Sequence, residues 1–194
     1  MTELLPLVNQ ALTPFFAREK LWLAYSGGLD SQVLLHLLWR LREQASIAET
    51  PFPILNAIHI NHQLQSPAGT WAAHCQRQCT DYDIPFTLRA VDVSGRRRGI
   101  EASARDARYR EFEDVLREGD VLLLAHHLDD QAETLLLRLL RGAGVSGLAA
   151  MPIRRTLGSG ELFRPLLDVP RASIEAYAKE YQLSWIEDPS NTDT

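Results

Sequence analysis

Four short apolar segments recur at nearly constant spacing, and this spacing constrains the fold more than any other feature of the sequence. They read LWLAY from residue 21, ILNAIHI from 54, FTLRAV from 86 and DVLLLA from 120, so their starts lie 33, 32 and 34 residues apart. Their composition is typical of buried strands. Each gap carries a helical pattern, as in the apolar stripe of Val33, Leu34, Leu37, Leu38 and Leu41.

This alternation predicts an α/β fold: a doubly wound, mostly parallel sheet with helices on both faces, of the Rossmann-like type. The expected strand order is 3-2-1-4, with right-handed crossovers. The first and fourth strands then meet at the switch point, where ligands bind at the carboxyl ends of the strands. The loops that follow these strands, SGGLDS at 26–31 and AHHLDDQAET at 125–134, should therefore face one cleft.

The C-terminal part of the chain has a weaker pattern. Residues 142–165 are rich in glycine and predict a loop, 169–183 predict a helix with Pro170 near its start, and SWIED at 184–188 predicts a short strand. We expect one domain over residues 1–194, with a core of about 20–150 and an extension of about 151–194.

Composition indicates a cytoplasmic protein without a membrane partner. Hydrophobic residues make up 45% of the 194 positions, yet no apolar run nears the length of a membrane span, and the first residues lack the pattern of a signal peptide. The two cysteines, Cys75 and Cys79, are one helical turn apart and are expected to be buried structural residues. So few cysteines fit a reducing compartment.

Arginines are concentrated in two segments of an otherwise acidic chain. The net charge is −5, and the chain has 18 arginines but 2 lysines, with a net charge of +4 over 89–110 and again over 138–171. The guanidinium fork suits phosphate oxygens. This distribution favours local recognition of phosphates over the coating of a duplex, and solvated helix faces are the alternative.

The SGGLDS turn has the composition of a phosphate site. Gly27 and Gly28 let the backbone adopt positive φ and approach a ligand, Ser26 and Ser31 add hydroxyl donors, and amides at a helix start attract anions. Asp30 would repel phosphate and therefore fits a ligand of a bridging Mg²⁺. Without the lysine of GxxxxGK[ST], the turn favours attack at an α-phosphate with pyrophosphate leaving. The alternative is an ordinary turn in which Asp30 caps a helix.

The second loop supplies acids and histidines. Three acids open the predicted helix and cluster on one side: Asp129, Asp130 and Glu133. They could bind a cationic substrate such as an ammonium group, or simply stabilise the helix N-terminus. His126 and His127 could be metal ligands or buried imidazoles, and His59 in HINH ends the second strand at the same edge.

Five ordered segments together resemble a known family. SGGLDS resembles the PP-loop of the ATP-pyrophosphatase superfamily, and the other four resemble segments of tRNA(Ile)-lysidine synthetases within it. These four are HINHQLQ, GIEASARDARYREF, AHHLDDQAETLLLRLLRGAGVSGLAAM and RPLLDVPRASIEAYAKEYQLSWIEDPSN. The likeness runs from Leu21 to the last residue, and the joint occurrence is far more specific than SGGxDS alone.

The resemblance implies a two-step ligation that uses ATP and Mg²⁺. ATP adenylates the C2 carbonyl oxygen of the wobble cytidine in a tRNA(Ile) with a CAU anticodon, and free lysine then attacks C2 and expels AMP. By position, ATP would be bound by Ser26, Gly27, Gly28, Leu29, Asp30, Ser31 and His59. Asp30 would also hold the metal, Arg105 would neutralise phosphate or tRNA charge, and Asp130 with Glu133 would orient lysine. A homodimer is a further partner that we consider, although the sequence carries no signal for the oligomeric state.

The sequence departs from the family in two respects, and three other functions remain as alternatives. Members of the family continue past EDPSN, so we expect their C-terminal tRNA-binding regions to be absent from these 194 residues, and the cysteine motifs of related thiolating tRNA enzymes are lacking. The alternatives are cytidine thiolation by another PP-loop enzyme, a metal-dependent phosphoesterase and a non-catalytic nucleotide-binding module. The phosphoesterase would use the histidines and leave the glycine turn without a role.

Overall fold

The computed structural model describes residues 3–61, 68–91, 100–140, 142 and 150–187. Within these ranges the helices are α1 (Leu4–Leu12), α2 (Leu29–Ile47), α3 (Ala68–Asp81), α4 (Ile100–Val115), α5 (Leu128–Leu140) and α6 (Arg171–Glu180). The strands are β1 (Lys20–Ala24), β2 (Ile54–Asn61), β3 (Phe86–Ala90), β4 (Val121–Leu123), β5 (Arg154–Leu157) and β6 (Gly160–Phe163). A 3₁₀ turn at Thr13–Phe15 follows α1.

The strands form one sheet in the order β3-β2-β1-β4-β6-β5. All pairings are parallel except that of β5 with β6. The predicted doubly wound sheet and the order 3-2-1-4 are therefore confirmed. In β1, Leu23 is in register with Ala57 of β2 on one side and with Leu123 of β4 on the other, which makes β1 the strand at the switch point.

The two faces of the sheet carry separate hydrophobic clusters, as alternation along each strand requires. Leu21 and Leu23 of β1 belong to a cluster that includes residues of α1, α2, α3 and α6. Trp22 lies on the other face, where Phe112 of α4 packs with Leu122 of β4. Burying a side chain of this size contributes roughly 1.5–3 kcal/mol. Helices therefore cover both faces of the sheet.

The predicted loop at 142–165 is wrong where β5 and β6 lie. These strands form a hairpin around Gly158, which has φ of +55°, and β6 extends the sheet by pairing with β4. The glycine-rich composition obscured two four-residue strands, because their stability comes from the pairing of β6 with β4 and of β5 with β6, and from burial of Leu157 and Leu162. Residues of the predicted extension thus complete the sheet of the predicted core.

The predicted strand at SWIED is also wrong over its described residues. Residues 183–187 form no strand, and Ile186 instead donates one backbone hydrogen bond to the Gly27 carbonyl oxygen, at 2.9 Å. A single bond ties this segment to the glycine turn without starting a ladder. Cys75 and Cys79 are fully buried, as predicted. None of the helices described above combines the length and the apolar character needed to cross a bilayer.

Candidate active site

A cavity of about 710 Å³ opens at the carboxyl ends of β1 and β4. Its volume is typical of sites for small ligands and cofactors. Seven of the predicted site residues line it: Ser26, Gly28, Leu29, Asp30, Ser31, Arg105 and Asp130. The two loops that sequence reasoning assigned to one cleft therefore do share one.

The glycine turn presents hydrogen-bond donors to this cavity. Gly28 is the N-cap of α2 and accepts the first helical bond, from Gln32 at 2.9 Å, so the amides of residues 29–31 have no acceptor within the helix. The hydroxyl oxygens of Ser26 and Ser31 lie 2.9 Å apart beside them. Amides without a helical acceptor, with hydroxyls beside them at a helix N-terminus, form a site suited to phosphate.

Gly27 lies where no other residue fits without strain. Its φ is +85°, and a Cβ atom there would lie 2.8 Å from Cys75 Sγ and 3.4 Å from Ile186 Cδ1. Gly27 is not among the residues that line the cavity. It lies between α3 and the 183–187 segment, and its contribution in this structure is to shape the turn.

Asp30 and Asp130 flank His127 within the site. His127 Nε2 lies 3.6 Å from Asp30 Oδ1 and 3.7 Å from Asp130 Oδ2. The Asp130 carboxylate also accepts a 2.8 Å hydrogen bond from the His127 backbone N–H, which caps α5. Burial raises the pKa of Asp30; the His127 and Arg171 charges oppose this, and the Asp130 charge adds to it.

The Asp30 carboxylate fits a ligand of a cation whose other ligands come from the substrate. Asp30 Oδ1 is buried and has no hydrogen-bond partner in the described part of the chain. His127 Nε2, at 3.6 Å, is too distant for a hydrogen bond to this oxygen, so a bound cation would offset the cost of burying it. No group of three or more potential metal ligands occurs among the described residues, so phosphate oxygens and water would complete the shell, as is usual for Mg²⁺.

The three acids that open α5 lie in different surroundings. Asp130 lines the cavity, whereas Asp129 Oδ2 accepts a 2.8 Å hydrogen bond from the backbone N–H of Arg171 and so caps α6. Glu133 is exposed one turn along α5 and does not line the cavity. Its predicted contact with lysine stays a prediction.

His59 also lies outside the cavity lining. It is 7% exposed, and its Nδ1 lies 2.8 Å from the carbonyl oxygen of Tyr25, directly before the glycine turn. Its predicted contact with ATP stays a prediction. In the structure, its hydrogen bond to Tyr25 holds the residue that precedes the glycine turn.

Two arginines of α4 form a basic wall of the cavity. Arg105 is exposed, and its guanidinium carbon lies 5.1 Å from the centre of the Tyr109 ring. Arg108 is less exposed, and its Nε is buried without a hydrogen-bond partner among the described residues. Burial and the neighbouring Arg105 charge lower the pKa of Arg108. Such a group gains most from an anionic ligand, because it is already desolvated and unpaired.

Sequence reasoning missed the wall that α6 contributes. Arg171, Glu175 and Lys179 recur every four residues and line the cavity on one helical face. Arg171 Nε donates a 3.0 Å hydrogen bond to Glu175 Oε1. The spacing of these charges was visible in the sequence, but a solvated helix face has the same spacing. Trp71 and Trp185 also line the cavity, and no pattern in the sequence marked them as site residues.

Curated relatives are similar to nearly the whole chain. The tRNA(Ile)-lysidine synthase of Pseudomonas aeruginosa is 54% identical over 184 residues, which is 95% of this chain and 40% of that protein. The tRNA(Ile)-lysidine synthase of Serratia proteamaculans is 49% identical over 177 residues, 91% of this chain and 39% of that protein. The chain thus spans about 40% of the length of these relatives.

Solved structures share the fold at lower identity. The U34-tRNA thiolase NcsA from Methanococcus maripaludis superposes with a TM-score of 0.74 at 20% identity, covering 96% of this chain and 65% of that chain. The NH3-dependent NAD synthetase from Campylobacter jejuni gives a TM-score of 0.53 at 14% identity, covering 94% and 75%. These likenesses concern the architecture alone.

Both a sequence match and the geometry of the SGGLDS turn assign this chain to a family. The profile of the PP-loop domain matches residues 2–194. In the structure, SGGLDS connects β1 to α2 at the switch point, and five of its six residues line the cavity. This chain belongs to the ATP-binding PP-loop domain family.

Proposed function

We propose that this chain carries the catalytic site of an ATP-dependent ligase that joins free lysine to C2 of the wobble cytidine in tRNA(Ile) with a CAU anticodon. The observation that carries the proposal is the meeting of a phosphate-binding turn, an acid cluster and a basic wall in one cavity. The names of relatives about 50% identical over nearly the whole chain support the specific reaction.

In the first step, the C2 carbonyl oxygen of cytidine attacks the α-phosphorus of ATP. A bond forms between this oxygen and phosphorus, and the bond to the β-phosphate oxygen breaks, so that pyrophosphate leaves. The amides that follow Gly28 and the hydroxyls of Ser26 and Ser31 would hold phosphate oxygens. Arg105 and Arg108 would neutralise charge at the α-phosphate, which is the large catalytic contribution in a site of this kind. Mg²⁺ held by Asp30 would supply charge neutralisation between phosphates.

In the second step, the amine of lysine attacks C2 of the adenylated cytidine. The neutral form of the amine forms a carbon–nitrogen bond, the bond from C2 to the oxygen carried by AMP breaks, and the proton that the nitrogen loses passes to water. Asp130, which lines the cavity, would hold and orient the lysine ammonium group, with Glu133 on the next turn of α5 as its partner. Orientation of two bound reactants contributes much of the acceleration in such reactions.

Release of pyrophosphate from labelled ATP tests the proposal. It should require the CAU-bearing tRNA(Ile), and lysine should convert the adenylated tRNA to lysidine. These 194 residues should be assayed beside a full-length relative, because they span about 40% of the length of such a protein. Phosphate release, or hydrolysis indifferent to tRNA, would refute the proposal in favour of a phosphoesterase or a bare nucleotide-binding module.

The Asp30→Asn variant tests the metal assignment. It should abolish pyrophosphate release without loss of fold, because the amide retains the shape of the side chain but binds Mg²⁺ far more weakly. Asp114→Asn is the matched control, since Asp114 is exposed near the far end of α4. Equal activity of the two variants would contradict the assignment.

We also propose a homodimer, supported by the leucines of α5. Large apolar side chains are exposed along this helix, among them Leu136 at 59% and Leu140 at 84%. An exposed apolar face of this kind favours association. Light scattering should show a dimer that Leu136→Glu converts to a monomer. A wild-type monomer at all concentrations would refute this.

A single folding unit and a cytoplasmic location are proposed as well. Pairing of β6 with β4 supports one unit over residues 1–194, which predicts a single transition in urea. The substrates of the proposed reaction, together with the free thiols of Cys75 and Cys79, support the cytoplasm, which cell fractionation would test.

A further inference from the structure

Arg164, directly after β6, is a buried arginine held by neutral acceptors. It is 2% exposed. Its Nε donates a 3.1 Å hydrogen bond to His126 Nδ1, and its Nη1 donates one of 2.7 Å to the Pro152 carbonyl oxygen. Among the described residues, no carboxylate lies within ion-pair distance of this guanidinium. A buried charge without a counter-ion is costly, so this arrangement calls for a reason.

The contact determines the protonation state of His126. A guanidinium in a protein stays protonated and cannot accept a hydrogen bond, so His126 Nδ1 must be the acceptor. A neutral imidazole that accepts a hydrogen bond at Nδ1 carries its hydrogen on Nε2. An imidazolium would instead point its own Nδ1–H at the Nε–H of Arg164, and two donors cannot bond each other. His59 shows the reverse arrangement, because its Nδ1 faces the Tyr25 carbonyl oxygen and must donate to it.

We infer that Arg164 is a positioning residue that fixes His126 as the neutral Nε2–H tautomer, so that His126 offers the cavity a hydrogen-bond donor and not a general base. His126 lines the cavity beside Asp130, whereas Arg164 does not line it. The ligand atom that such a donor recognises is an oxygen with available lone pairs. The identity of that oxygen rests on the proposed function: an α-phosphate oxygen or the cytidine C2 carbonyl oxygen.

The surroundings of His126 also disfavour its charged form. Burial and the Arg164 charge lower the pKa of His126 to about 4, although Asp130 opposes this shift. A neutral donor keeps one geometry before and during charge development at the substrate oxygen. Such pre-organised donors lower the barrier without reorganisation.

Nitrogen-15 spectra of the histidine rings test the assignment without any substrate. The 194-residue chain is labelled at its 6 histidines, and His126→Gln identifies the His126 signals. At pH 7, two-bond correlations should show His126 protonated at Nε2 alone and His59 protonated at Nδ1 alone. An imidazolium, an Nδ1–H tautomer or an average of tautomers at His126 would overturn the inference in the wild-type chain itself.

Three arginine variants test the role of Arg164. Arg164→Met should allow His126 to average between tautomers, whereas Arg155→Met should leave its spectrum unchanged, because Arg155 is exposed and does not bond His126. Circular dichroism checks the fold of both. Should the methionine variant unfold, Arg164→Lys keeps one donor and should preserve the Nε2–H tautomer. A fixed Nε2–H tautomer in folded Arg164→Met would refute the positioning role.

The rate of pyrophosphate release then distinguishes two roles of His126, that of a hydrogen-bond donor and that of a general base. Glutamine can donate from its amide nitrogen but cannot accept a proton near neutral pH. His126→Gln should therefore retain most of the rate, whereas His126→Ala should lose roughly 100-fold or more, as when one donor is removed from a pre-organised site. Equal losses in both variants would refute the donor role. Failure of wild-type release would instead refute the proposed function and leave the spectral test intact.

Discussion

The Gly27→Ala variant tests how tightly the glycine turn is built. Adopting φ of +85° costs an L-residue roughly 1–2 kcal/mol. The added Cβ would lie 2.8 Å from Cys75 Sγ, in a fully buried position, and overpacking of this kind costs roughly 1–3 kcal/mol. The free energy of unfolding should therefore fall by about 2–5 kcal/mol.

Gly28→Ala is the matched control. Gly28 has φ of −76°, and its added Cβ would meet nothing closer than Ser26 Oγ at 3.5 Å, an ordinary contact. This change should alter the free energy of unfolding by less than about 1 kcal/mol. In a urea titration followed by tryptophan fluorescence, the unfolding midpoint of Gly27→Ala should lie roughly 1–2 M below that of Gly28→Ala.

A double variant separates the two contributions at Gly27. Cys75→Ala removes the sulfur that the new Cβ would meet, so Gly27→Ala in that background should cost only the conformational part. The coupling between the two changes should be roughly 1–3 kcal/mol. Equal stability of Gly27→Ala and Gly28→Ala, or the absence of coupling, would refute this account of the turn.

Three further predictions concern the acids, the thiols and a histidine. Glu133→Ala should raise the lysine concentration needed for lysidine formation while pyrophosphate release persists, and an unchanged lysine requirement would remove Glu133 from the site. Burial raises the pKa of Cys75 and Cys79 to about 12, so iodoacetamide at pH 8 should modify them only in urea, and equal labelling of the native chain would contradict their burial. Burial lowers the pKa of His36 to about 4 from 6.5, so the folded chain binds fewer protons than the unfolded chain between these values. The free energy of unfolding should therefore fall as pH drops from about 6.5 to 4, less steeply in His36→Gln, and equal slopes in urea titrations would contradict this.

Elements with local signals were predictable from the chain alone. The stripe on α2 and the apolar runs of β1 to β4 follow from periodicity, which depends on neighbouring residues only. The strands β5 and β6 were not predictable in this way, because each has four residues: β6 gains its order by pairing with β4, and β5 by pairing with β6. The segment 183–187 has strand-like composition, yet it pairs with no strand: Leu183 and Trp185 pack against the core, and Ile186 donates one backbone hydrogen bond to Gly27.

The sequence by itself determined the alternation of strands and helices that indicates a parallel sheet, and the place of the glycine turn between β1 and α2, because both signals lie in residues close together in the chain. Tertiary structure alone decided which acids face the cavity: Asp129 is taken up by the start of α6, 42 residues away, and Asp130 is left to the site. It also decided the state of His126, through an arginine 38 residues along the chain. Local periodicity carries no information about such pairs, since each contact forms only after the sheet has brought its loops to one edge.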